Sequence, residues 1–183
     1  MKLMDLFDNK RDHKVLITEQ VIEKVKNLHI ASLSAYDNEL IQTMTRRVLE
    51  YSATKNNHSE VAITFRLFQD LQKEPVYGIA LGTEHNVNPE SDSVSSIIIN
   101  QMEEGAFTVE ANCVVVLTHN HPSLSTISLD DVGYFLTKEK LKILIAVTNL
   151  GKIFYIMKTT HYAREKHLLC LKKLISWINR QPH

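Results

Sequence analysis

Residues that interrupt regular secondary structure are scarce in this sequence. Its 183 residues include five glycines and four prolines, and no segment repeats or has a biased composition. This excludes collagen-like, low-complexity and disordered chains. Apolar residues make up 44% of the chain and charged residues 23%, so we expect one globular unit that is long enough to bury a core.

Cysteine and long apolar runs are also lacking. The two cysteines, Cys113 and Cys170, have no metal-binding or disulfide spacing, and Cys113 is expected to be a small buried residue of an apolar strand. No apolar run approaches the length of a membrane span, and the first residues lack the apolar segment of a signal peptide. We therefore expect a cytoplasmic protein that is neither exported through such a signal nor embedded in a membrane.

Neither sign of charge is in excess. Lys and Arg together number 21, as do Asp and Glu, so the basic surface that is typical of nucleic-acid binding is not indicated. Nine histidines are present. His85, His161 and His167 have no partner at a meaningful spacing, and we expect them on the surface.

Two amphipathic helices are predicted before residue 58. Residues 1–15 are charged and aperiodic and are expected to form an arm. Thr18 and Ser34 are the expected N-caps of the two helices. We assign residues 1–58 to an arm and a helical layer packed on the core, and residues 59–183 to the core with a C-terminal helix. The apolar positions at helical spacing are Val21, Ile22, Val25 and Leu28, then Leu40, Met44 and Val48.

From Glu60 onward the hydrophobic pattern is typical of strands. Residues 61–67 alternate between apolar and other side chains, which predicts a half-buried strand. Asn88-Pro89-Glu90 predicts the start of a helix. The predicted fold class is α/β, because helices come before, between and after about five strands. Segments 60–82 and 141–157 each have the form of an antiparallel pair, so we expect a mixed sheet flanked by helices. The other predicted strands are 76–81, the run from Val114, 141–147 and 153–157.

The run from Val114 ends in two histidines, His119 and His121. On an extended chain, side chains two positions apart share one face, so both imidazoles can converge on one point beyond the strand. Pro122 has no N–H to give to a strand ladder and ends the regular pairing. Asn120 and Ser123 are expected to form the turn.

A carboxylate follows at the start of a predicted helix. Asp131 lies ten positions after His121, and Ser128 precedes it at the spacing of a capping box. Two imidazoles and one carboxylate, with a fourth position open to water, are the ligand set of a catalytic zinc site. The sequence therefore predicts Zn²⁺ bound by His119, His121 and Asp131.

His119-Asn120-His121-Pro122-Ser123 followed by Ser128-x-x-Asp131 resembles the metal motif of the JAMM/JAB (MPN+) metallopeptidase superfamily. It is most similar to RadC-like and phage- or toxin-associated bacterial JAB domains. The resemblance covers about residues 59–158 and implies a cytidine-deaminase-like α/β sandwich. Six residues separate His121 from Ser128, one fewer than in the common family form, so Asp130 stays open as an alternative ligand.

The resemblance also implies a general base and an oxyanion donor. In JAMM enzymes a glutamate from an earlier strand hydrogen-bonds the water of the zinc ion and accepts its proton. Glu60 matches this position, with Gly82-Thr83 after the next strand, and Glu74 is the competing candidate. The matching serine of the family donates to the developing oxyanion, which implies that role for Ser128.

The expected function is therefore hydrolysis of a peptide or isopeptide bond in a protein or peptide substrate, including a ubiquitin-like conjugate. Two alternatives stay open. The first is a non-catalytic MPN-type binding module, against which the complete ligand set argues. The second is a RadC-like protein associated with DNA metabolism, which the balanced charge does not support.

Overall fold

A five-stranded sheet forms the centre of the computed structural model. The structure describes residues 14–67, 75–100, 113–123 and 125–178, and of residues 176–178 it describes only the backbone. The strand order is β2-β1-β3-β4-β5, which places β3 in the middle. The strands are β1 (Val61–Leu67), β2 (Tyr77–Leu81), β3 (Val114–His121), β4 (Leu141–Thr148) and β5 (Ile153–Met157).

The sheet is mixed. β3 and β4 are parallel, and the other neighbouring pairs are antiparallel. A parallel pair needs a crossover connection, and here it contains α4 (Leu129–Thr137). The predicted α/β class, with a mixed five-stranded sheet and flanking helices, is confirmed.

A helical layer covers one face of the sheet. α1 (Glu19–Glu23) continues into a 3-10 helix at Lys24–Asn27, and α2 (Ala35–Lys55) follows. The Ser34 hydroxyl caps α2 by accepting a hydrogen bond from the N–H of Asp37 at 3.1 Å. This layer shares one apolar cluster with the sheet, which includes Val21, Val25, Leu40, Met44, Val48, Val61, Ile63, Phe65, Val116 and Ile145.

α3 (Ser93–Asn100), α4 and α5 (Arg164–Ile178) lie on the opposite side. A side chain on Gly78 would place its Cβ 2.4 Å from the backbone nitrogen of Ser95, so glycine permits the close approach of α3 to β2. The apolar cluster on this side includes Ala62, Ala80, Ile98, Val115, Leu117, Phe135, Leu136 and Leu144.

No helix in the described ranges has the length and apolar composition needed to cross a bilayer.

The position of α4 is fixed by polar contacts with the segment before α3. The Glu90 carboxylate accepts a hydrogen bond from the Tyr134 hydroxyl at 3.1 Å and lies 2.7 Å from the Lys138 ammonium group. Because Tyr134 belongs to α4 and Lys138 follows its last residue, these contacts hold the helix against the segment that precedes α3. The N-terminal turn of α4 is the part that reaches the site.

The expected burial of β1 and the expected start of α3 are wrong in detail. β1 is buried at all seven positions rather than on one face, because α2 and α3 cover its two sides. The helix expected at Asn88 begins later, since Pro89–Ser91 forms a short 3-10 helix and α3 begins at Ser93. The Asp92 carboxylate accepts a hydrogen bond from the N–H of Ser95 at 2.8 Å, a capping contact that favours the later start.

Candidate metal centre

The central strand β3 places His119 and His121 on the same face of the sheet, as predicted. Leu117, two positions earlier, packs in the cluster on the α4 side, whereas Thr118 contacts α2. β1 flanks β3 on one side and β4 on the other. The two imidazole side chains are therefore almost enclosed, with exposed fractions of 4% for His119 and 7% for His121.

The three predicted ligands converge. The Nε2 atoms of His119 and His121 lie 2.8 Å apart. Asp131 Oδ1 is 3.3 Å from Nε2 of His119, and Asp131 Oδ2 is 3.3 Å from Nε2 of His121. All three possible ligand atoms lie within 4.8 Å of one another, so the cluster could hold a metal ion. Asp130, the alternative carboxylate, is exposed on the wall of the adjacent groove.

The hydrogen bond at Nδ1 of His121 is of the kind that a metal-binding histidine makes. Its Nδ1 lies 3.2 Å from the backbone carbonyl oxygen of Ser125. Because a carbonyl only accepts, this contact favours the proton on Nδ1 and leaves the lone pair of a neutral ring on Nε2. The Nδ1 atom of His119 is buried and has no hydrogen-bond partner in the described part of the chain.

A capping box at the start of α4 orients Asp131. The Ser128 hydroxyl accepts a hydrogen bond from the N–H of Asp131 at 3.0 Å, and Asp131 Oδ2 accepts from the N–H and the hydroxyl of Ser128 at 2.8 and 2.7 Å. The predicted capping role of Ser128 is confirmed. The positive end of the helix also favours an ionised carboxyl group at this position.

The ionisation states of the three candidate ligands depend on one another. Burial opposes ionisation of Asp131, but the adjacent His119 and His121 outweigh it and hold the pKa of that carboxyl well below its usual range. Burial alone would lower the pKa of His121, but the hydrogen bond and the charge of Asp131 raise it above the ordinary value. Without a metal ion, the carboxylate thus stabilises a protonated imidazole. A cation at the same point would replace the proton as its partner.

Glu60, the predicted base, lies immediately before β1 at the edge of the cluster. The β1–β3 ladder ends at the pair of Ala62 with His119, and Glu60 lines one groove together with His121 and Asp131. Glu60 is 9% exposed. Its burial raises the pKa of the carboxyl above the ordinary value, and the charges of the two histidines only partly offset this. A buried carboxyl group with a raised pKa beside a possible metal site is a candidate proton acceptor. Glu74, the competing candidate, lies outside the described residues.

A groove of about 420 Å³ opens onto the cluster. At its rim the ammonium group of Lys14 lies 2.7 Å from the carboxylate of Glu84, and this hydrogen bond lowers the pKa of Glu84. The N–H of Val15 donates to the carbonyl oxygen of Pro122 at 2.9 Å, which ties the segment from residue 14 to the motif. The groove is lined by Lys14, Glu60, Glu84, His85, Asn86, Val87, His121, Pro122, Ser123, Ser125, Ser128, Asp130 and Asp131.

Three features around the candidate metal centre were not predicted from the sequence. Lys14 and Glu84 border the groove through a contact between distant segments, and no local pattern marks them. His85 is exposed, as expected, but it also lines the groove and lowers the pKa of Glu60. Asn120 was expected in a turn, and that expectation is wrong. Asn120 lies fully buried in β3, because its side-chain amide bonds backbone groups of residues 59 and 61.

A comparison of the chain with protein-family models, with curated proteins and with solved structures finds no match. The functional reading of the centre therefore depends on the residues and geometry described above.

Proposed function

We propose that the protein is a zinc-dependent metalloprotease of the JAMM type, which hydrolyses a peptide or isopeptide bond. The observation that carries this proposal is the convergence of His119, His121 and Asp131 within 4.8 Å beside the buried carboxyl group of Glu60. We propose further that the mixed sheet belongs to the cytidine-deaminase-like JAB/MPN sandwich that the sequence motif implies.

The donor set favours zinc over calcium and magnesium. Two imidazole nitrogens and one carboxylate leave the fourth tetrahedral position open. Calcium and magnesium prefer shells of oxygen ligands, and no cysteine belongs to the cluster among the described residues. A bound zinc ion supplies Lewis acidity, which polarises an amide carbonyl and lowers the pKa of water towards about 7.

Proton transfer is assigned to Glu60. Its carboxyl group lies at the edge of the cluster, and burial raises its pKa. A carboxylate in this state can accept a proton from the attacking water and return it to the nitrogen of the leaving amine. A carboxylate with an ordinary pKa is a weaker base and would accept the proton of the water less readily. The burial of Glu60 therefore serves the reaction.

The proposed role of Ser128 in stabilising the oxyanion stays a prediction. Its hydroxyl donates to Asp131 Oδ2 at 2.7 Å, and a hydroxyl has one proton to donate. An oxyanion would have to compete with Asp131 for that proton. The capping geometry supports the orientation of Asp131 as the main role of Ser128.

We propose that the substrate binds in the groove beside the cluster. The groove is bordered by polar and charged side chains, including the Lys14–Glu84 pair, and it contains Asp130 beside the ligand Asp131. We therefore propose a protein or peptide partner, with a ubiquitin-like conjugate as one member of this class. The binding-module alternative gains no support from a buried carboxyl group such as Glu60, because binding alone does not require a proton acceptor.

The test is a search for zinc-dependent amide hydrolysis. Zinc-loaded protein is incubated with a mixture of peptides and with isopeptides in which a glycine carboxyl is joined to a lysine side chain, and products are identified by mass spectrometry. We expect cleavage by the wild type, and none by metal-stripped protein or by His121→Ala. Failure of zinc-loaded wild type to cleave any member of either set would favour the binding module.

A further inference from the structure

The backbone ladder between β1 and β3 ends just before it reaches Glu60. Ala62 and His119 form the last pair of the ladder. Beyond them, the N–H of Val61 donates to the side-chain oxygen of Asn120 at 2.7 Å. The Asn120 amide nitrogen donates to the carbonyl oxygen of Ser59 at 3.3 Å. One side chain thus bonds the two peptide groups that flank the Cα atom of Glu60.

We propose that Asn120 is a positioning residue that holds the carboxyl group of Glu60 at a fixed distance from the metal ligands. This inference rests on the proposed function, in which Glu60 transfers protons. Asn120 is well placed for the role, because its backbone lies between His119 and His121 while its side chain reaches back to the peptide groups of Glu60. A shift of either element would therefore move the other.

We call the bonds from Asn120 to the two peptide groups that flank Glu60 the clamp. The remaining hydrogen bonds of Asn120 make this clamp rigid. Its amide group has two protons, which it shares among three acceptors, namely the carbonyl oxygen of Ser59, Asn149 Oδ1 at 2.8 Å and the Ser52 hydroxyl at 3.1 Å. The Ser52 hydroxyl in turn donates to the carbonyl oxygen of Ser59 at 2.6 Å. The side chains of Ser52, Asn120 and Asn149 have no exposed surface. The polar atoms of these three side chains all have partners within the described residues. Such a buried network restricts motion, since no water can replace a lost partner.

A double-mutant cycle distinguishes positioning from general stabilisation. We expect Asn120→Ala to lower kcat by about 10–100-fold, the cost of a small misplacement of a reacting group, with KM and zinc content unchanged. In the Glu60→Gln background it should cause no further loss, because the group that Asn120 positions is already inactive. An equal loss of kcat in both backgrounds would overturn the proposal.

A second experiment needs no substrate. With Co²⁺ in place of zinc, the visible absorption bands report changes around the ion, including hydrogen bonds to its ligands. Asn120→Ala and Glu60→Gln should change these bands alike, and the double variant should match Glu60→Gln. Wild-type bands in either single variant would overturn the proposal. If wild type cleaves no amide, the proposed function fails, and the Co²⁺ comparison still decides whether the clamp exists.

Two further variants complete the design. Thr118→Val is the matched control, because Thr118 is equally buried on the same face of β3 and, within the described ranges, its hydroxyl bonds Thr45 of α2 alone, at 3.2 Å. It should leave kcat and the Co²⁺ bands as in wild type. If Asn120→Ala does not fold, Ser52→Ala removes part of the same network. Its smaller loss of kcat should also vanish in the Glu60→Gln background, and persistence of that loss would contradict the clamp.

Discussion

The Nε2 atoms of His119 and His121 lie 2.8 Å apart at the end of the central strand. Two ring nitrogens at this distance are stable when one of them carries a proton or when both face a cation, because their lone pairs otherwise repel. Asp131 lies 3.3 Å from each of them. The occupant of this triangle, a proton or a metal ion, therefore determines the charge of the centre.

We expect one zinc ion per chain in protein purified without chelator. The zinc should be lost in His119→Ala and His121→Ala, because each removes one of three protein ligands. His85→Ala is the control, since His85 lines the groove without belonging to the cluster. Elemental analysis measures the content. Equal zinc in the wild type and in the His119→Ala/His121→Ala double variant would show that the site is assigned wrongly.

Replacement of the two neighbouring aspartates tests which carboxylate binds the metal. Asp131→Asn keeps the shape of the side chain and its capping acceptor but removes the charge. We expect its zinc affinity to fall by more than the roughly 10–100-fold that loss of an outer-shell partner costs. Asp130→Asn should bind zinc like the wild type. Titration with a chromophoric chelator gives both affinities, and the opposite order would identify Asp130 as the ligand.

The raised pKa of Glu60 has a consequence for stability. The folded metal-free protein binds this proton more tightly than the unfolded chain does, so its free energy of unfolding falls as pH rises from about 4.3 through the folded pKa. Glu60→Gln abolishes this loss. We expect the metal-free variant to melt at a higher temperature than the wild type at pH 7, and at nearly the same temperature at pH 4. A lower melting temperature of the variant at pH 7 would mean that the ionised carboxylate is stabilised by the fold.

The helical layer of residues 16–56 should be part of the fold and, apart from the Ser52 hydroxyl that bonds Asn120, contribute nothing to the chemistry. Its apolar side chains share a cluster with β1, β3 and β4, so deletion of residues 1–56 exposes the core and should give insoluble protein. Met44→Ala, at a fully buried position, should lower the free energy of unfolding by about 2–5 kcal/mol without changing the zinc content of folded protein. A soluble, folded and zinc-loaded truncation would show instead that the layer is a separate module.

Local patterns predicted much of this molecule. The His119–His121 spacing placed both rings on one face because an extended chain alternates, and the Ser128–Asp131 spacing predicted a capping box that the helix forms. The strands and the mixed sheet followed from changes in hydrophobic period and from turns. In each case the physical cause lies within a few residues of the position concerned.

The features that could not be predicted depend on contacts between distant segments. The alternation in β1 indicated one buried face, but α2 and α3 cover both. Asn120 resembled a turn residue because it is polar and precedes Pro122, yet its partners are residues 52, 59, 61 and 149. The pairing of Lys14 with Glu84 likewise exists only after folding.

The most direct test of the catalytic account compares Glu60→Gln with Glu74→Gln at equal zinc occupancy. Both substitutions keep the size of the side chain and remove a carboxylate. On an amide substrate that the wild type cleaves, Glu60→Gln should lower turnover by about 10²-fold or more, the usual contribution of general acid–base catalysis. Glu74→Gln should behave like the wild type. Full turnover in Glu60→Gln, or a loss confined to Glu74→Gln, would contradict the assignment of Glu60 as the group that accepts the proton.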